Sequence, residues 1–475
     1  MKSRGWVLIA LVLAQLVVSL DLTALNVALP VLARDLDAGT GDLQWIIDSY
    51  TLVSATLLIP AGLAGDRYGR KKVLLAGLAL FLAGSAFAAL TGSPGGLIAA
   101  RTLMGVGSAI VIPMSLSVLL AVFPGEDQPR AQAAFAAASF FGLPLGPVLG
   151  GWLLDRFWWG SIFVVNLPVA ALAIAAVTAL VPESWSRHRP RLDMAGTALS
   201  TGGLLAVVYG TIEQPVHGWG SPLVWAPLLA GALALALFVL LTRRSAEPLI
   251  DLSLFGDRGF LAGTVAATAL TFVLFGVLFT VPQYFQGVLG AGSLGTGLRL
   301  LPMIGGLIVS ARICPRLVER RGPRAAIATG LVILIGATLA GTFTGHGYGL
   351  AAGWLAVLGL GMGLVLPSAM ALALGALDAE RGGTGSGVVM TVRMVGGAIG
   401  AAALGSVLAA GSGNLDPASI GADPVAFLDG MDRVLCTGAA VLACTLAAVL
   451  ALAPGRAAAA RDGSGGESVD GHVLA

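Results

Sequence analysis

Apolar residues along this chain form long runs, and short polar, glycine-rich or proline-rich stretches separate one run from the next. Crossing the hydrocarbon core of a bilayer, about 30 Å thick, takes about 20 residues of helix. By that length the pattern predicts fourteen membrane-spanning helices. Their approximate spans are 6–30, 44–64, 73–91, 96–120, 131–154, 161–181, 194–212, 223–242, 259–283, 296–313, 325–343, 350–374, 385–409 and 433–453.

The composition indicates the same class of protein. Of the 475 residues, 57% are hydrophobic and 11% are charged, and the mean hydropathy is +0.90, whereas a soluble domain has about 25% charged residues. We therefore predict an all-α integral membrane protein. The opening MKSRG and its apolar run also fit a signal peptide, but the run continues past Asp21 to Pro30 without an A-x-A cleavage site, which favours a first spanning helix.

The lysine and arginine residues lie mainly on one side of the membrane when they are assigned to the loops between the predicted spans. With a cytoplasmic N-terminus, 21 of the 27 lysine and arginine residues fall inside, three fall outside (Arg34, Arg156 and Arg433) and three lie in or at the edge of spans. Cytoplasmic loops carry such an excess of basic residues. An even number of spans then places both termini in the cytoplasm. The net charge of +2 therefore gives no reason to expect a nucleic-acid partner.

A short repeat indicates how the spans are organised. The stretch GLAGDRYGRKK after span two has a weaker copy, PRLVERRGPR, after span ten, in which Asp66 matches Glu319 and Gly69 matches Gly322. Two copies in corresponding places predict two homologous six-helix halves, with spans seven and eight as an inserted pair. The predicted units are an N-terminal bundle at 1–192, the inserted pair with its linker at 193–257, a C-terminal bundle at 258–454 and a disordered cytoplasmic tail at 455–475.

Three charged side chains lie inside apolar spans of the first half: Asp21, Asp48 and Arg101. A charge near the bilayer centre costs about 2.5–3.5 kcal/mol on insertion scales, so such residues usually face the bundle interior and take part in function. At 1.5 Å per residue all three lie toward the outer half, and we expect them to share one cavity. A structural ion pair, a helix–helix hydrogen bond and, for Asp48, a polar position at the outer interface remain open as alternatives.

Four stretches resemble motifs of the major facilitator superfamily, and specifically of its 14-helix drug:proton antiporter (DHA2) branch. LDLTALNVALP at 20–30 is similar to the first-helix motif, and GLAGDRYGRKKVL at 62–74 to the loop signature, with Ala64 where leucine is usual. LIAARTLMGVGSA at 97–109 looks like the fourth-helix motif, with Met104 where glutamine is frequent. GLPLGPVLGG at 142–151 matches the fifth-helix antiporter motif at every fixed position.

The resemblance implies a major facilitator fold and a role for each motif. Asp21, Asp48 and Arg101 would couple transport to protons, because a carboxyl that holds a proton when dry and releases it when wetted or paired with arginine forms a switch. The loop would latch the two halves on the cytoplasmic side through Gly62, Asp66, Arg67, Gly69, Arg70 and Lys71. The antiporter motif, Gly142, Gly146, Pro147, Gly150 and Gly151, marks exporters. Candidates in the second half are Glu319, Arg320, Gly322 and Arg393, and for Arg393 a structural role is equally open.

Other classes of function find less support. An ATP-driven pump needs a phosphate-binding G-x-x-x-x-G-K-[ST] loop, and none of the three lysines lies in one. A membrane-embedded enzyme would have only Asp21 and Asp48 as a carboxylate pair. An uptake symporter of the same fold remains an alternative, and the intact GLPLGPVLGG argues against it.

We therefore expect a proton-coupled efflux antiporter for hydrophobic or amphipathic drugs or antibiotics, working by alternating access. It would need no catalytic residue, metal or other cofactor, because the proton gradient supplies the energy. The expected partners are a small-molecule drug, protons and the lipid bilayer, and the chain is expected to act as a monomer in the cell membrane. Arginine outnumbers lysine 24 to 3, which suggests a GC-rich bacterial source.

Overall fold

The computed structural model describes residues 2–123, 131, 135, 145–184, 194–244, 252–345, 347–375, 382–413, 420–421 and 423–452. These residues form helices joined by short turns and contain no β-strand. The prediction of an all-α membrane protein is thereby confirmed.

The helices follow one another along the chain with few residues between them. In the first half they are α1 (Lys2–Asp35), α2 (Thr40–Tyr68), α3 (Arg70–Leu90), α4 (Pro94–Val122), α5 (described over 145–156), α6 (Ser161–Val164) and α7 (Asn166–Leu180). The central pair is α8 (Met194–His217) and α9 (Pro222–Arg244). The second half contains α10 (Arg258–Gln283), α11 (Ser293–Arg299), α12 (Leu301–Arg321), α13 (Pro323–Gly341), α14 (Tyr348–Gly375), α15 (Gly382–Gly411) and α16 (Pro424–Leu452). A 3-10 turn, Leu252–Gly256, precedes α10 and a π-helical turn, Tyr284–Val288, follows it.

Twelve helical segments in the described ranges are long and apolar enough to cross a membrane. The two remaining predicted spans correspond to α2, which is 29 residues long, and to α5. The helices are therefore consistent with fourteen spans.

Two predicted spans are interrupted helices. The span predicted at 161–181 breaks at Val165 between α6 and α7, and Pro168 lies in the first turn of α7. The span predicted at 296–313 breaks at Leu300 between α11 and α12, where Pro302 occupies the first turn of α12. Proline lacks an N–H group and is tolerated at a helix start but breaks the hydrogen bonds of a helix interior, which explains both interruptions.

The two halves repeat the same helix–helix contact. Gly146 and Gly150 of α5 lie against the α1 backbone at Leu20 and Ala24, where an added Cβ would collide with main-chain atoms. In the second half, Gly400 of α15 lies equally close to the backbone of Phe272 in α10. Small residues at such positions let membrane helices approach closely. These glycines therefore mark a close helix interface in each half.

The repeated loop also has the same backbone shape in both halves. Gly69 is the single residue between α2 and α3 and has φ 110°, and Gly322 is the single residue between α12 and α13 and has φ 83°. Positive φ is readily accessible only to glycine. The match of Gly69 with Gly322 in the sequence thus corresponds to one turn used twice.

Helices α8 and α9, which the sequence predicts to be an inserted pair, pack against each other, and α8 also packs against α2 and α15. Trp45 of α2 lies 6.0 Å from the ring of Tyr209 of α8, and Ser406 Oγ of α15 donates a hydrogen bond of 2.9 Å to the Thr211 carbonyl oxygen of α8. Helix α9 exposes most of its apolar residues, as expected for a helix that faces lipid. Helix α8 therefore covers the seam between α2 and α15 from the lipid side.

Candidate functional site

Asp21 is held by two side chains from other helices. Arg101 Nη1 of α4 lies 2.5 Å from Asp21 Oδ2, and Asn166 Nδ2, at the start of α7, donates to Asp21 Oδ1 at 2.9 Å. All three residues are buried. The carboxylate thus has a charged partner on one oxygen and an amide donor on the other.

Arg101 makes two further contacts that fix its guanidinium group. Its Nε donates to the Ile46 carbonyl oxygen of α2 at 3.2 Å, and its Cζ lies 4.1 Å from the centre of the Tyr50 ring. A cation over an aromatic face is attracted by the ring's charge distribution. Breaking a buried ion pair by removing one partner typically costs about 3–5 kcal/mol, so Asp21 and Arg101 depend on each other.

Asp48 does not join this pair, which differs from the expectation of one shared cavity. Its neighbours on the same face of α2, Gln44 and Leu52, contact α15 and α8 instead of α4. Depth along the membrane was predicted from the sequence, but the direction of the side chain around the α2 axis was not.

A cavity of about 30 Å³ lies beside Arg101, between the two halves. Its lining is mostly apolar, and the guanidinium of Arg101 is its one charged group. The residues that line it are Leu22, Thr23, Leu25 and Asn26 of α1, Ile47 and Thr51 of α2, Arg101 of α4, and Leu274, Phe275 and Leu278 of α10. An apolar lining with a few polar groups is typical of a small-molecule site, and in this arrangement the cavity has room for water but not for a drug-sized molecule.

The two halves touch at the end of the bundle that holds the α1–α2 connection at 36–39. The distribution of basic residues predicts that this end lies outside, and we call it the outer end. Gln286 Nε2 donates to the Val27 carbonyl oxygen at 2.7 Å, and the Leu294 N–H donates to Asp155 Oδ1 at 3.3 Å.

The antiporter motif forms the closest of these outer contacts. Gly151 lies against the backbone of Ser293, and Gly297 lies against the backbone of Pro147. Gly142, the first residue of the motif, lies outside the described residues. Because α5 belongs to one half and α11 to the other, these glycines close the outer end.

In the loop signature, an acid from another segment lies at the start of the third helix. The Asp66 backbone belongs to the last turn of α2, and its side chain lies outside the described part. Glu183 Oε1 accepts the Lys71 N–H, in the first turn of α3, at 3.0 Å. An acid at a helix N-terminus is favourable.

Basic residues of the loop also reach neighbouring helices. Lys71 Nζ donates to the Thr178 carbonyl oxygen at 2.7 Å, and Arg70 Nη1 donates to the Ser117 carbonyl oxygen at 3.5 Å. Arg67 is exposed, and Gly62 has open space around it.

Replacing Gly69 by alanine should lower thermal stability. A side chain in the left-handed region costs about 1–2 kcal/mol, and the new Cβ would also lie 2.8 Å from Glu183 Oε1. We expect a lower unfolding midpoint in detergent for Gly69→Ala than for Gly322→Ala, where φ is also positive but no atom lies within 4 Å. Gly62→Ala, which introduces neither problem, is the control, and an equal midpoint for Gly62→Ala and Gly69→Ala would contradict the explanation.

The second-half candidates lie apart from the Asp21–Arg101 pair. Glu319 and Arg320 are exposed near the end of α12, and Gly322 forms the turn described above. Arg393 of α15 is partly buried, and its Nη2 lies 2.8 Å from Met390 Sδ. The structure brings none of these residues into the cavity beside Arg101.

Three residues at these sites were not predicted from the sequence. Asn166 and Tyr50 complete the surroundings of Asp21 and Arg101, and Glu183 caps α3. A signal existed for Asn166, the single amide in the apolar stretch SIFVVNLPVAALAI, since polar residues in such stretches usually have a partner. Tyr50 and Glu183 carry no comparable signal.

Comparison with known proteins gives a consistent group of relatives. The chain is 37% identical over 413 residues to the multidrug resistance protein Stp of Mycobacterium tuberculosis, covering 86% of this chain and 77% of that protein. It is 32% identical over 422 residues to the tetracenomycin C resistance and export protein of Streptomyces glaucescens, covering 88% and 78%. It is also 34% identical over 440 residues to a puromycin resistance protein of Streptomyces alboniger, covering 90% and 86%.

The fold is shared with solved transporter structures. A bacterial homologue of the human lysosomal transporter Spinster superposes with a TM-score of 0.68 at 16% identity, covering 95% of this chain and 97% of that one. The family model of the Major Facilitator Superfamily matches residues 11–401. The chain therefore belongs to the Major Facilitator Superfamily, as a multi-pass membrane transporter related to drug and antibiotic efflux pumps and not as an enzyme.

Proposed function

We propose that the chain exports hydrophobic or amphipathic small molecules in exchange for protons, by alternating access across a bacterial cell membrane. The observation that carries the proposal is the position of Arg101, which lines the apolar cavity between the halves and at the same time pairs with the buried Asp21. A molecule that binds in the cavity and contacts Arg101 can therefore alter the ion pair with Asp21 directly.

The chemistry of the pair supports proton coupling. While Arg101 lies beside Asp21, the carboxylate is stabilised in its charged form. If a proton neutralises Asp21, Arg101 loses its counter-ion and can turn into the cavity that it lines, where its charge disfavours an apolar molecule. A proton on Asp21 and a substrate in the cavity would thus exclude each other, as exchange requires.

The contacts at the outer end support alternating access. There Gln286 and Asp155 make hydrogen bonds between the halves, and the glycines of the antiporter motif allow backbone contact. With this end closed, molecules would enter from the opposite, cytoplasmic end. Opening of these contacts would then release them outside.

The direction and the type of substrate are supported by the relatives. Their names describe multidrug resistance, tetracenomycin C export and puromycin resistance, and the cavity lining of leucine, isoleucine and phenylalanine suits apolar compounds. One charge crossing about 100 mV yields roughly 2.3 kcal/mol, which sustains about a forty-fold concentration ratio. The energy of one proton is thus sufficient to drive export, and the proposal needs no other cofactor. We further propose that the chain acts as a monomer with both termini in the cytoplasm.

A susceptibility panel followed by vesicle transport tests the proposal. An efflux-deficient bacterial host that expresses the chain should resist at least one apolar antibiotic in the panel. Everted vesicles from this host should accumulate that compound when respiration acidifies their lumen, and nigericin should abolish the accumulation. Accumulation in right-side-out vesicles under an inward proton gradient would instead indicate an uptake symporter.

A further inference from the structure

Arg393 is a charged side chain inside a membrane-spanning helix that has no acidic partner in the described part of the chain. It lies eleven residues after the start of α15 at Gly382, about 16 Å along the helix axis. Its Nη2 contacts the Met390 sulfur at 2.8 Å, and its Nε is buried without a hydrogen-bond partner. Buried polar groups are nearly always paired, and a charge inside a membrane helix usually serves a function. Arg393 therefore lacks the group that it is suited to bind.

The side chain of Arg393 lies on the face of α15 that packs against α10. Residues four and seven apart share one face of a helix. Gly397 and Gly400, which follow Arg393 at these spacings, contact Phe275 and Phe272 of α10. Arg393 is therefore directed into the protein and not toward lipid.

The same contacts place Arg393 on the cytoplasmic side of the cavity. Phe275, which lies against Gly397, also lines the cavity. Toward the other end of α15, Gly405 contacts Gln44, near the outer start of α2. Arg393 thus lies one turn from Gly397 in the cytoplasmic direction, about 6 Å along the axis. A molecule that moves from the cytoplasmic end along this face meets Arg393 before it meets Phe275.

Thr268 of α10 supplies a second unpaired polar group between Arg393 and the cavity. Its side chain faces Gly396, and its Oγ1 is buried without a hydrogen-bond partner among the described residues. One turn away, the Thr264 hydroxyl instead donates to the Phe260 carbonyl oxygen at 2.8 Å. Both Arg393 and Thr268 retain some exposed surface. A guanidinium group and a hydroxyl group therefore offer donors along the same stretch of the path to the cavity.

No acid on the described helices around α15 balances the charge of Arg393. Helices α14 and α15 contain no acidic residue over their described ranges, and Asp257 caps the start of α10. Asp66 lies fourteen residues, about 21 Å, along α2 from Leu52, which shares a buried cluster with Ala398 of α15. The remaining acids of these helices lie nearer the outer end: Asp42 and Asp48 of α2, Glu213 of α8, and Asp429 and Asp432 of α16. These helices thus leave the position beside Arg393 to an anion from solution.

We propose that Arg393 binds the anionic group of an amphipathic substrate on the cytoplasmic side of the cavity, with Thr268 as a second donor and the apolar part of the molecule directed toward the cavity. This role rests on the proposed function and deepens it by naming the substrate class: apolar molecules that carry a carboxylate or a similar anionic oxygen group. The N–H donors of a guanidinium group match the two oxygens of a carboxylate. Arg101 is not available for this role while it is paired with Asp21.

A matched pair of probes tests the preference without any proton gradient. 1-Pyrenebutyrate and 1-pyrenebutanol share one apolar body and differ in their end group, and the carboxyl of the first is ionised at about pH 7. Binding to the purified full-length chain in detergent is measured by energy transfer from tryptophan to pyrene. We expect the wild type to bind pyrenebutyrate about 10- to 150-fold more tightly than pyrenebutanol, the range for a hydrogen bond to a charged group. Arg393→Gln should bind both probes with the affinity that the wild type has for pyrenebutanol.

Four further variants separate binding from a structural role. Arg393→Lys keeps the charge and should retain part of the preference. Thr268→Val removes the unpaired hydroxyl and should reduce the preference several-fold, whereas Thr264→Val removes a hydroxyl that is bonded within its own helix and should leave it unchanged. Met390→Leu removes the sulfur beside Arg393 and should also leave the preference unchanged.

Four results would overturn the inference. The first is equal affinity of the wild type for the two probes. The second is a preference that stays unchanged in Arg393→Gln or, if that variant does not fold, in Thr268→Val. The third is equally weakened binding of both probes in Arg393→Gln, which would indicate a structural role. The fourth is displacement of pyrenebutyrate by added phosphatidylglycerol, which would indicate a site for a lipid headgroup.

Binding and export can fail independently of each other. If the preference is found but everted vesicles show no proton-driven accumulation, the proposed function fails and the anion-binding site stands. If vesicles accumulate an antibiotic while the two probes bind equally, the proposed function stands and the anion-binding site fails.

Discussion

Asp21→Asn is expected to abolish proton-driven export while leaving the protein in the membrane. The amide keeps the shape of the carboxyl and its contact with Asn166, but it leaves the Arg101 charge without its counter-ion. Breaking such a buried pair costs about 3–5 kcal/mol of stability, so thermal stability should fall as well. Because the amide cannot take up or release a proton, proton-driven export in everted vesicles should fall to the level of vesicles without the protein.

Two comparisons separate coupling from folding in this variant. Asp35→Asn makes the same change on the exposed end of α1 and should export normally. The double variant Asp21→Asn with Arg101→Gln removes both charges, so its thermal stability should recover while proton-driven export stays lost. Full proton-driven export by Asp21→Asn would show that this carboxylate has no part in coupling.

Gly297→Ala is expected to hold the outer end open and stop export. The added Cβ would collide with the Pro147 carbonyl oxygen of α5, so the two halves could no longer meet there. Overpacking costs about 1–3 kcal/mol, and a coupling of that size shifts a two-state equilibrium by roughly 5- to 150-fold.

Accessibility of the cavity from outside measures this shift. A cysteine placed at Ile47, which lines the cavity, should react faster with an impermeant maleimide in the Gly297→Ala background, with the native cysteines replaced. Gly295→Ala is a matched control on the same helix, because its Cβ would meet neighbours only at 3.7 Å or more. Equal reaction rates in the Gly297→Ala and Gly295→Ala backgrounds would mean that the glycine contact does not determine whether the outer end is closed.

The family, the helix positions and the main residues could be predicted from the sequence because long apolar runs and four ordered motifs carry that information. Asp21 and Arg101 were predicted to lie at a similar depth, with an ion pair left open as an alternative, because depth follows from counting residues along each helix. The direction in which Asp48 points was not predicted. Position along a helix follows from counting residues, but the direction around its axis depends on which helices lie beside it, and here one neighbour, α8, comes from a distant insertion.

The breaks at Val165 and Leu300 were also missed, because hydropathy stays high across them and one residue in a turn hardly changes the pattern. The acid at the start of α3, Glu183, was not predicted for a similar reason. A shift of a few residues in where a helix begins decides which acid meets its free N–H groups, and only packing of α3 against α7 fixes that point.

The turns at Gly69 and Gly322 have a mechanical consequence. With a single residue between helices, α2 and α3 have no slack to slide past each other, and the same holds for α12 and α13. Helix α2 packs against α15 at the seam between the halves, whereas α3 packs behind α4. Displacement of α2 at this seam is therefore passed to α3 and the outer layer of the first half instead of being absorbed by a loop.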